Sequence, residues 1–430
     1  MPPHPPVEPP ARSPHGLLAR WHGTPLYLRI IGAVVLGIVV GLILGSNAAP
    51  LQIPSKLVLR VLGALAPPLI LLAIVQALLQ ARIGGKQTLR LAGLLLLNTL
   101  VAIGIGLAVA NTIQPGLWMG SAPVVQPEKG APANDPLAQF LESVPKSLLG
   151  PLGDDGKVMS VIFLAVAFGI ALRRVRHHEI RTVEDVVQVA LASLIVVLHW
   201  IIDVIPLAVF GIVAAIVGTT GFGDFVALGG FVVAVLVGLT CQATYYLVRV
   251  RLGSWVRPVD LLRGTRDALT MAFSTGSSTA TMPVTYACLR ENVGLRAESA
   301  SLGALVGSNF NNDGTALYEA TAALFVSQLL RAHLSLGQQF IVVLASVVAS
   351  IGAAGIPEAG LVTMTMVFNA VELPTEYIAI LLTVDWFLDR CRTAINVMGD
   401  LNVSCLLDGK VRERPGENET PILPKVEAAS

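Results

Sequence analysis

Long apolar stretches alternate with short polar connections along most of this 430-residue chain. Eight of them are candidate spanning helices, at about 26–45, 57–81, 91–111, 158–172, 186–218, 225–248, 297–327 and 376–406. Two further stretches, at about 261–290 and 334–370, are apolar but interrupted by Gly, Pro and small polar residues. Because roughly 20 apolar residues cross the hydrocarbon core of a bilayer, the pattern predicts an all-α, multi-pass membrane protein.

The composition supports this prediction and excludes other classes. Hydrophobic residues make up 54% of the chain and charged residues 13%, whereas soluble domains carry about 25% charged residues. The net charge of +1 says nothing about nucleic acid, but the sequence has no basic run with interleaved aromatics, so we expect no nucleic-acid partner. We find no metalloprotease, nucleophile-elbow, P-loop or dinucleotide motif, so we do not expect an enzyme or a cofactor.

The distribution of basic residues predicts the orientation. They cluster at Arg12 and Arg20, at Arg82, Lys86 and Arg90, at Arg173, Arg174, Arg176 and Arg181, and at Arg249, Arg251, Arg257, Arg263 and Arg266. The connection at 112–157 is acidic instead. The positive-inside rule therefore predicts cytoplasmic termini and an external 112–157 loop. Arg290 and Arg296 also look cytoplasmic, so the first interrupted stretch should be a re-entrant hairpin, and the second should enter from outside.

Both interruptions have a physical cause. The first contains Ser274–Thr279 and then Pro283, and the second contains Ser350–Pro357, rich in Gly and small residues. Such residues leave backbone groups without helical partners, which a membrane tolerates only where protein, water or a ligand meets them. Broken helices in paired positions point to the binding site of a transporter. A pair of flexible kinks is the alternative interpretation.

The last apolar stretch carries a stripe of charges. Its polar residues are spaced by 4, 3, 4 and 4, which places them on one helix face: Asp385, Asp389, Arg392, Asn396 and Asp400. Each unpaired charge at the middle of a bilayer costs about 2.5–3.5 kcal/mol. The stripe must therefore face a partner or a wet cavity, either as a binding site or as a structural ion-pair stripe between helices.

A second polar cluster lies at Ser308–Glu319. We expect Gly314 to break the helix there and to free backbone carbonyls, and Asn311, Asn312 and Asp313 add side-chain oxygens. Hard cations such as Na⁺ prefer oxygen ligands of this kind. As an alternative, Asn311 caps an unwound turn.

Glu319 is the last carboxylate of this cluster and shares a helix face with Thr315, four residues earlier. A buried carboxylic acid is suited to carry a proton. The alternative is an ion pair with Arg390 or Arg392. His199 and Asp203, one turn apart, form a further polar pair, either a proton relay or, more plainly, a structural hydrogen bond.

Four stretches occur in order and carry a resemblance: AFSTGSSTATMPVT (272–285), NNDGTALYEA (311–320), ASIGAAGIPEAGLVTM (349–364) and VDWFLDRCRTAINVMGD (384–400). Through them the C-terminal half resembles the dicarboxylate/amino acid:cation symporter family, especially the animal excitatory amino-acid transporters and their bacterial relatives. The N-terminal half agrees in topology. The resemblance implies a secondary active symporter for glutamate or aspartate, coupled to H⁺ and/or Na⁺.

The resemblance also implies a glutamate-transporter-like elevator fold, with eight transmembrane helices and two opposed re-entrant hairpins. Scaffold helices would lie in 21–85 and 112–218, the latter with the external loop. The mobile transport unit would comprise 86–111 and 219–407, and tails 1–20 and 408–430 would be cytoplasmic. A homotrimer surrounded by lipid in the cell membrane, inner or plasma, is expected.

The family's substrate-binding residues fall on definite positions here. Arg392 would hold the side-chain carboxylate of the substrate, Asp389 its amino group and Ser278 its α-carboxylate. The resemblance adds Ser277, Thr279, Thr315, Thr393 and Asn396 to the shell, and Gly355, Ile356, Pro357 and Gly360 to the second hairpin gate. Arg390 matches the extra arginine of the animal-type arrangement.

The resemblance implies three cation sites and one proton site. The cation sites comprise Gly307, Asn311, Asn396 and Asp400; Asp313, Asn311, Asn98 and Thr99; and Ser350, Ile351 and Ala353, with Asn312 beside them. Glu319 would carry the proton. Asn312, Leu95 and Ala353 depart from the family's usual Met, Tyr and Thr, so both Na⁺ and H⁺ remain open as coupling ions. A dicarboxylate or neutral amino-acid carrier of the same fold and an anion channel are the alternative functions.

Overall fold

The computed structural model describes residues 24, 26–80, 86–118, 182–219, 221, 223–332, 334–352 and 359–412. Within these ranges the regular elements are helical, which confirms the predicted all-α class. The α-helices are α1 (Leu26–Leu44), α2 (Ile53–Gln80), α3 (Lys86–Ile113), α4 (Val183–Thr219), α5 (Gly223–Gly253), α6 (Pro258–Gly264), α7 (Arg266–Thr275), α8 (Ser278–Ala287), α9 (Ala297–Ser301), α10 (Gly307–Phe310), α11 (Asp313–Leu329), α12 (Leu336–Gly352), α13 (Ala359–Ala370) and α14 (Ile378–Asp408).

Four helical segments of the described ranges are long and apolar enough to cross a membrane. They are Leu28–Leu62, Leu89–Leu117, Val183–Thr219 and Val226–Gly253. Helix α14 has 31 residues, a sufficient length, but its charged stripe lowers its hydropathy. The predicted span at 158–172 lies outside the described residues. The pattern of apolar helices is that of an integral membrane protein.

Helices α1, α2 and α4 form one packed group. Glycine permits the close approach of α1 to α4, because a Cβ at Gly41 would lie 2.6 Å from the carbonyl oxygen of Ala214. Arg29 of α1 pairs with Asp203 of α4 at 3.1 Å, while His199 is exposed. Asp203 therefore has a structural partner in the neighbouring helix, as the plainer interpretation of this pair required.

Helix α11 lies at the centre of a second group. All 17 of its residues are buried, and α3, α5, α12, α13 and α14 pack around it. On the α5 side, Phe231 stacks on Phe325 with ring centroids 4.8 Å apart, and on Tyr318 at 5.5 Å. A helix that is buried on every side can carry polar residues only if other protein groups or a ligand satisfy them.

The two interrupted stretches form paired helical arms that pack against each other, α7 with α8 and α12 with α13. The first break falls at Gly276, whose φ is +65°, and at Ser277, which is extended and accepts the amide hydrogen of Ala280 at 3.1 Å as the N-cap of α8. In the second stretch, residues 353–358 lie outside the described residues.

The break predicted at Gly314 lies earlier in the chain. Asn311 and Asn312 have non-helical backbone angles, α11 begins at Asp313, and Gly314 is in its first turn. The missing side chain at Gly314 serves packing instead, because a Cβ there would lie 2.7 Å from the carbonyl oxygen of Arg392 on α14. The placement of the break at Gly314 was therefore wrong by two residues, although an unwound turn does occur.

Candidate substrate and cation site

Arg392 is the centre of the polar stripe on α14. Its side chain is fully buried, with Nη1 2.9 Å from Asp385 Oδ1 and Nη2 2.7 Å from Asp389 Oδ1. Its Cζ atom lies 4.0 Å from the ring centroid of Tyr318 on α11, in a cation–π contact. Two carboxylates surround one guanidinium, so this part of the site carries one excess negative charge.

The whole stripe faces the protein interior. Its side chains are between 0% and 7% exposed: Asp385, Asp389, Arg392, Asn396 and Asp400. This arrangement confirms the helical spacing argument, since one face of α14 gathers all five residues. Thr393, next to Arg392, donates its hydroxyl to the carbonyl oxygen of Asp389 at 2.8 Å. Arg390 is half-buried and donates to the carbonyl oxygen of Trp386 at 2.8 Å.

The tip of the first hairpin lies against this stripe. A Cβ at Gly276 would be 3.0 Å from Asp389 Oδ2. Ser278 is buried and donates its hydroxyl to the carbonyl oxygen of Ser308 at 3.1 Å. The buried hydroxyl of Thr279 has no hydrogen-bond partner within the described ranges. The hairpin therefore brings hydroxyl groups and the start of α8 close to Asp389.

The second hairpin lies against the guanidinium of Arg392. A Cβ at Gly360 would lie 3.1 Å from Arg392 Nη2 and 3.2 Å from Nη1. Gly360 therefore lies directly against the guanidinium of Arg392. Ala353, Gly355, Ile356 and Pro357 lie outside the described residues, and of Ile351 only the helical backbone is described.

The unwound turn before α11 is held by side-chain amides. Asn396 Oδ1 accepts the amide hydrogen of Gly314 at 2.8 Å, and Asn396 Nδ2 lies 3.3 Å from Asn312 Oδ1 and 3.5 Å from Thr315 Oγ1. Asn312 Nδ2 donates to the carbonyl oxygen of Ser350 on α12 at 2.9 Å. Asn312 and Asn396 thus link α11, α12 and α14 at the point where the helix is broken.

Oxygen atoms of a second cluster converge one turn further along α14. Asn311 Nδ2 donates at 3.0 Å both to Asp400 Oδ1 and to the carbonyl oxygen of Asn396. A Cβ at Gly307 would lie 2.7 Å from Asp400 Oδ1. Asn311 Oδ1 is buried without a hydrogen-bond partner in the described part of the chain. This donor set of carbonyl, amide and carboxylate oxygens fits a hard cation.

Glu319 lies deep in the protein, one turn beyond Thr315. Its carboxyl group is fully buried and Oε1 accepts the hydroxyl of Thr363 on α13. Oε2 has no hydrogen-bond partner among the described residues. Arg392 directs its guanidinium towards Asp385 and Asp389 instead. Glu319 therefore joins α11 to the second hairpin through a hydroxyl group.

The third cluster lies where α3, α5 and α11 meet. Asp313 is buried; Oδ1 accepts the hydroxyl of Thr99 at 2.7 Å, and Oδ2 accepts the hydroxyl of Tyr246. Asn98, also buried, accepts a hydrogen bond on Oδ1 from Arg249 of α5. The cluster thus brings together Asn98, Thr99 and Asp313, with two α5 residues that the sequence reasoning did not include. The side-chain amide of Asn311, the fourth member of the predicted set, donates to Asp400 and to the carbonyl oxygen of Asn396 instead.

The match to a known family covers nearly the whole chain. The sequence profile of the Sodium:dicarboxylate symporter family matches residues 26–410. The chain belongs to this family. Family members are membrane transporters that carry solutes together with cations, so this chain is a cation-coupled symporter and not an enzyme.

Curated relatives agree with the family assignment. Excitatory amino acid transporter 3 of Homo sapiens is 29% identical over 439 residues, which cover 87% of this chain and 83% of that protein. Excitatory amino acid transporter 1 of Ambystoma tigrinum is 29% identical over 444 residues, 85% of this chain and 80% of that protein. Excitatory amino acid transporter 4 of Mus musculus is 38% identical over 255 residues, which cover 56% of this chain and 44% of that protein.

Sequence reasoning placed Asp385 in the polar stripe without naming its partner, and it missed several other residues that contact the site. Asp385 lies seven residues before Arg392, two helical turns away on the same face, and this spacing was a usable signal for its ion pair. The other residues lie on helices whose packing against one another cannot be predicted from the spacing within one helix: Tyr318, Tyr246, Thr363 and Arg249. Their contacts with Arg392, Asp313, Glu319 and Asn98 follow from the packing of α5, α11, α13 and α14.

Proposed function

We propose that this symporter takes up glutamate or aspartate, with H⁺ and/or Na⁺ as the coupling ions. The observation that carries the proposal is the buried Arg392–Asp389 pair between the first hairpin and Gly360 of the second. A guanidinium binds a carboxylate through two parallel hydrogen bonds, and a carboxylate binds an ammonium group. A molecule with one carboxylate for Arg392, an ammonium group for Asp389 and a further carboxylate therefore matches the pair.

Substrate binding exchanges partners within this site. Arg392 forms ion pairs with both Asp385 and Asp389 in this structure. The side-chain carboxylate of the substrate replaces Asp389 on the guanidinium, and Asp389 then accepts the substrate's ammonium group. The exchange leaves both Arg392 and Asp389 paired with a group of opposite charge in a buried site, where an unpaired charge is costly.

The same exchange argues against the alternative substrates. A plain dicarboxylate has no ammonium group and would leave Asp389 without a cation after displacing it from Arg392. A neutral amino acid brings no second carboxylate and would compete poorly with Asp389 for the guanidinium. The α-carboxylate would bind at the first hairpin, where Ser277, Ser278 and Thr279 lie, and Thr315, Thr393 and Asn396 would line the remaining shell.

The coupling ions would occupy the oxygen clusters beneath the substrate. The cluster of Gly307, Asn311, Asn396 and Asp400 offers the donor set that Na⁺ prefers. Glu319 would carry a proton, and its hydrogen bond with Thr363 of the second hairpin supports this role. The carbonyl groups of Ser350, Ile351 and Ala353 would form a further cation site beneath this hairpin.

The proposed architecture is an elevator. A scaffold of 21–85 and 112–218 would hold three copies together in the cell membrane, inner or plasma, with both termini cytoplasmic. The transport unit, 86–111 and 219–407, would carry the site across between two re-entrant hairpin gates. The helices α1, α2 and α4 contact one another more extensively than they contact α12, α13 and α14, which supports this division.

A competition assay tests the substrate class. Purified protein in proteoliposomes would take up labelled aspartate under combined H⁺ and Na⁺ gradients, with glutamate, succinate or serine as unlabelled competitors. We expect glutamate to compete and the other two to fail. Strong competition by succinate would favour a dicarboxylate carrier, and entry of labelled aspartate that only equilibrates and does not depend on any ion gradient would favour a channel.

A further inference from the structure

Arg249 of α5 reaches into the cluster formed by Asn98, Thr99 and Asp313. Its Nη1 donates a hydrogen bond to Asn98 Oδ1, and its guanidinium lies 5.3 Å from the ring centroid of Tyr245. Arg249 is half-buried, whereas Arg251, two residues later on the same helix, is exposed. The side chain thus turns inwards from the surface of α5 to a buried amide on α3.

The carboxylate in this cluster is already satisfied. Asp313 is 0% exposed, and Thr99 and Tyr246 each donate a hydroxyl to one of its two oxygens. The guanidinium of Arg249 reaches the same cluster through its hydrogen bond to Asn98, the residue before Thr99. The buried negative charge therefore has both hydrogen-bond donors and a nearby positive charge supplied by the protein itself.

A sodium ion fits this arrangement poorly. Asn98 Oδ1, one of the oxygens that the family resemblance offers to a cation, is the acceptor for Arg249. Arginine keeps its positive charge in proteins, and two positive charges within a few ångströms repel strongly where water is excluded. The Asn311–Asp400 cluster differs, since its described oxygens accept from an asparagine amide and Asn311 Oδ1 stays open.

We infer that Arg249 takes the place of a transported cation at the junction of α3, α5 and α11. The guanidinium is fixed to the protein and neutralises Asp313 without being exchanged, so this cluster contributes no Na⁺ to coupling. Na⁺ coupling is then confined to the other oxygen clusters. This inference deepens the proposed coupling mechanism and rests on the proposed symport, but it makes a statement about ion binding that needs no knowledge of the substrate.

The test measures Na⁺ binding by its effect on thermal stability. A ligand that binds only the folded protein raises the melting temperature in a concentration-dependent way. Four proteins would be titrated with NaCl, with choline chloride as the ionic-strength control. They are the wild type, Arg249→Met, Arg249→Met combined with Thr99→Ala, and the matched control Arg251→Met. We expect Arg249→Met to bind Na⁺ about tenfold more tightly than the wild type, and Thr99→Ala to reverse the gain. Arg251→Met should behave as the wild type does.

Thr99→Ala alone provides a second measurement that does not depend on the Arg249 variant being stable. Since no Na⁺ occupies the cluster in the wild type, this change should leave the Na⁺ affinity within about twofold of the wild type's. A tenfold weaker Na⁺ affinity in Thr99→Ala, or an unchanged titration in a folded Arg249→Met protein, would overturn the inference. The titration contains no amino acid, so a wrong substrate assignment would not alter its outcome.

Discussion

Arg392, Asp385 and Asp389 show how single buried charges constrain this protein. Removing one partner of a buried ion pair costs about 3–5 kcal/mol, because the remaining charge stays buried without compensation. Arg392 has two carboxylates and one aromatic face around it and no exposed surface. Any substitution in this trio therefore acts on folding as well as on binding, and transport assays on such variants need a measure of folded protein beside them.

Glu319→Gln tests the proton site at this scale. Glutamine keeps the size of the side chain and can still accept a hydrogen bond from Thr363, but it cannot take up or release a proton. We expect uptake to continue, with a rate that no longer changes over the pH range in which the wild-type rate changes steeply. The uptake rate would be measured in proteoliposomes from acidic to alkaline external pH. Glu184→Gln, an exposed position at the start of α4, is the control, and an unaltered profile in Glu319→Gln would remove the proton role.

Gly360→Ala tests the contact between the second hairpin and Arg392. The added Cβ would lie 3.1–3.2 Å from the guanidinium atoms, so Arg392 must shift by a few tenths of an ångström. We expect the KM for the substrate to rise about 3- to 10-fold, equivalent to about 0.6–1.4 kcal/mol. Gly337→Ala in the same hairpin meets no atom closer than 3.8 Å and should leave KM unchanged. Equal KM values for both variants would place Gly360 away from the substrate.

At the scale of elements, helix spacing predicted what one helix determines by itself. The stripe of α14 followed from intervals of three and four residues, and the break in the first hairpin followed from Gly276 and its polar neighbours. The unwound turn at Asn311–Asn312 was expected, but Gly314 was given the wrong role, since the position at which α14 approaches α11 is a tertiary property. The contacts of Arg249 and Tyr246 with this site could not be predicted from the sequence for the same reason.

Gly314→Ala tests the packing of α11 on α14. A Cβ 2.7 Å from the carbonyl oxygen of Arg392 cannot be accommodated without moving one helix, and overpacking of this kind costs about 1–3 kcal/mol. We expect a lower melting temperature for the detergent-purified variant. Gly104→Ala in α3, where no atom lies within 4 Å, should not lower it. A melting temperature of Gly314→Ala equal to the wild type's would contradict the close approach.

At the scale of the whole molecule, the transported charge decides whether the membrane potential drives uptake. Acidic amino acids carry a net charge of −1 near neutral pH, and moving one charge across 100 mV is worth about 2.3 kcal/mol. One cation only neutralises this load, so uptake driven by an inside-negative potential needs at least two cations per substrate. With Arg249 fixed in one cluster, three sites remain to supply them: Glu319, the Asn311–Asp400 cluster and the proposed carbonyl site at Ser350, Ile351 and Ala353.

We therefore expect an inside-negative potential to accelerate uptake. Proteoliposomes with a K⁺ diffusion potential set by valinomycin would measure initial rates at both polarities under identical H⁺ and Na⁺ gradients. Equal rates at the two polarities would mean that one cation accompanies each substrate. Faster uptake at an inside-positive potential would mean that no cation accompanies it.

The most direct test of the central claim is uptake of labelled aspartate by Arg392→Gln. The account holds that the buried guanidinium binds the carboxylate of the substrate, so this variant should lose uptake by about 100-fold or more, equivalent to about 2.7 kcal/mol, while remaining monodisperse in gel filtration. Arg266→Gln, whose side chain is 81% exposed, should transport as the wild type does. Uptake by folded Arg392→Gln within about twofold of the wild type would contradict the account.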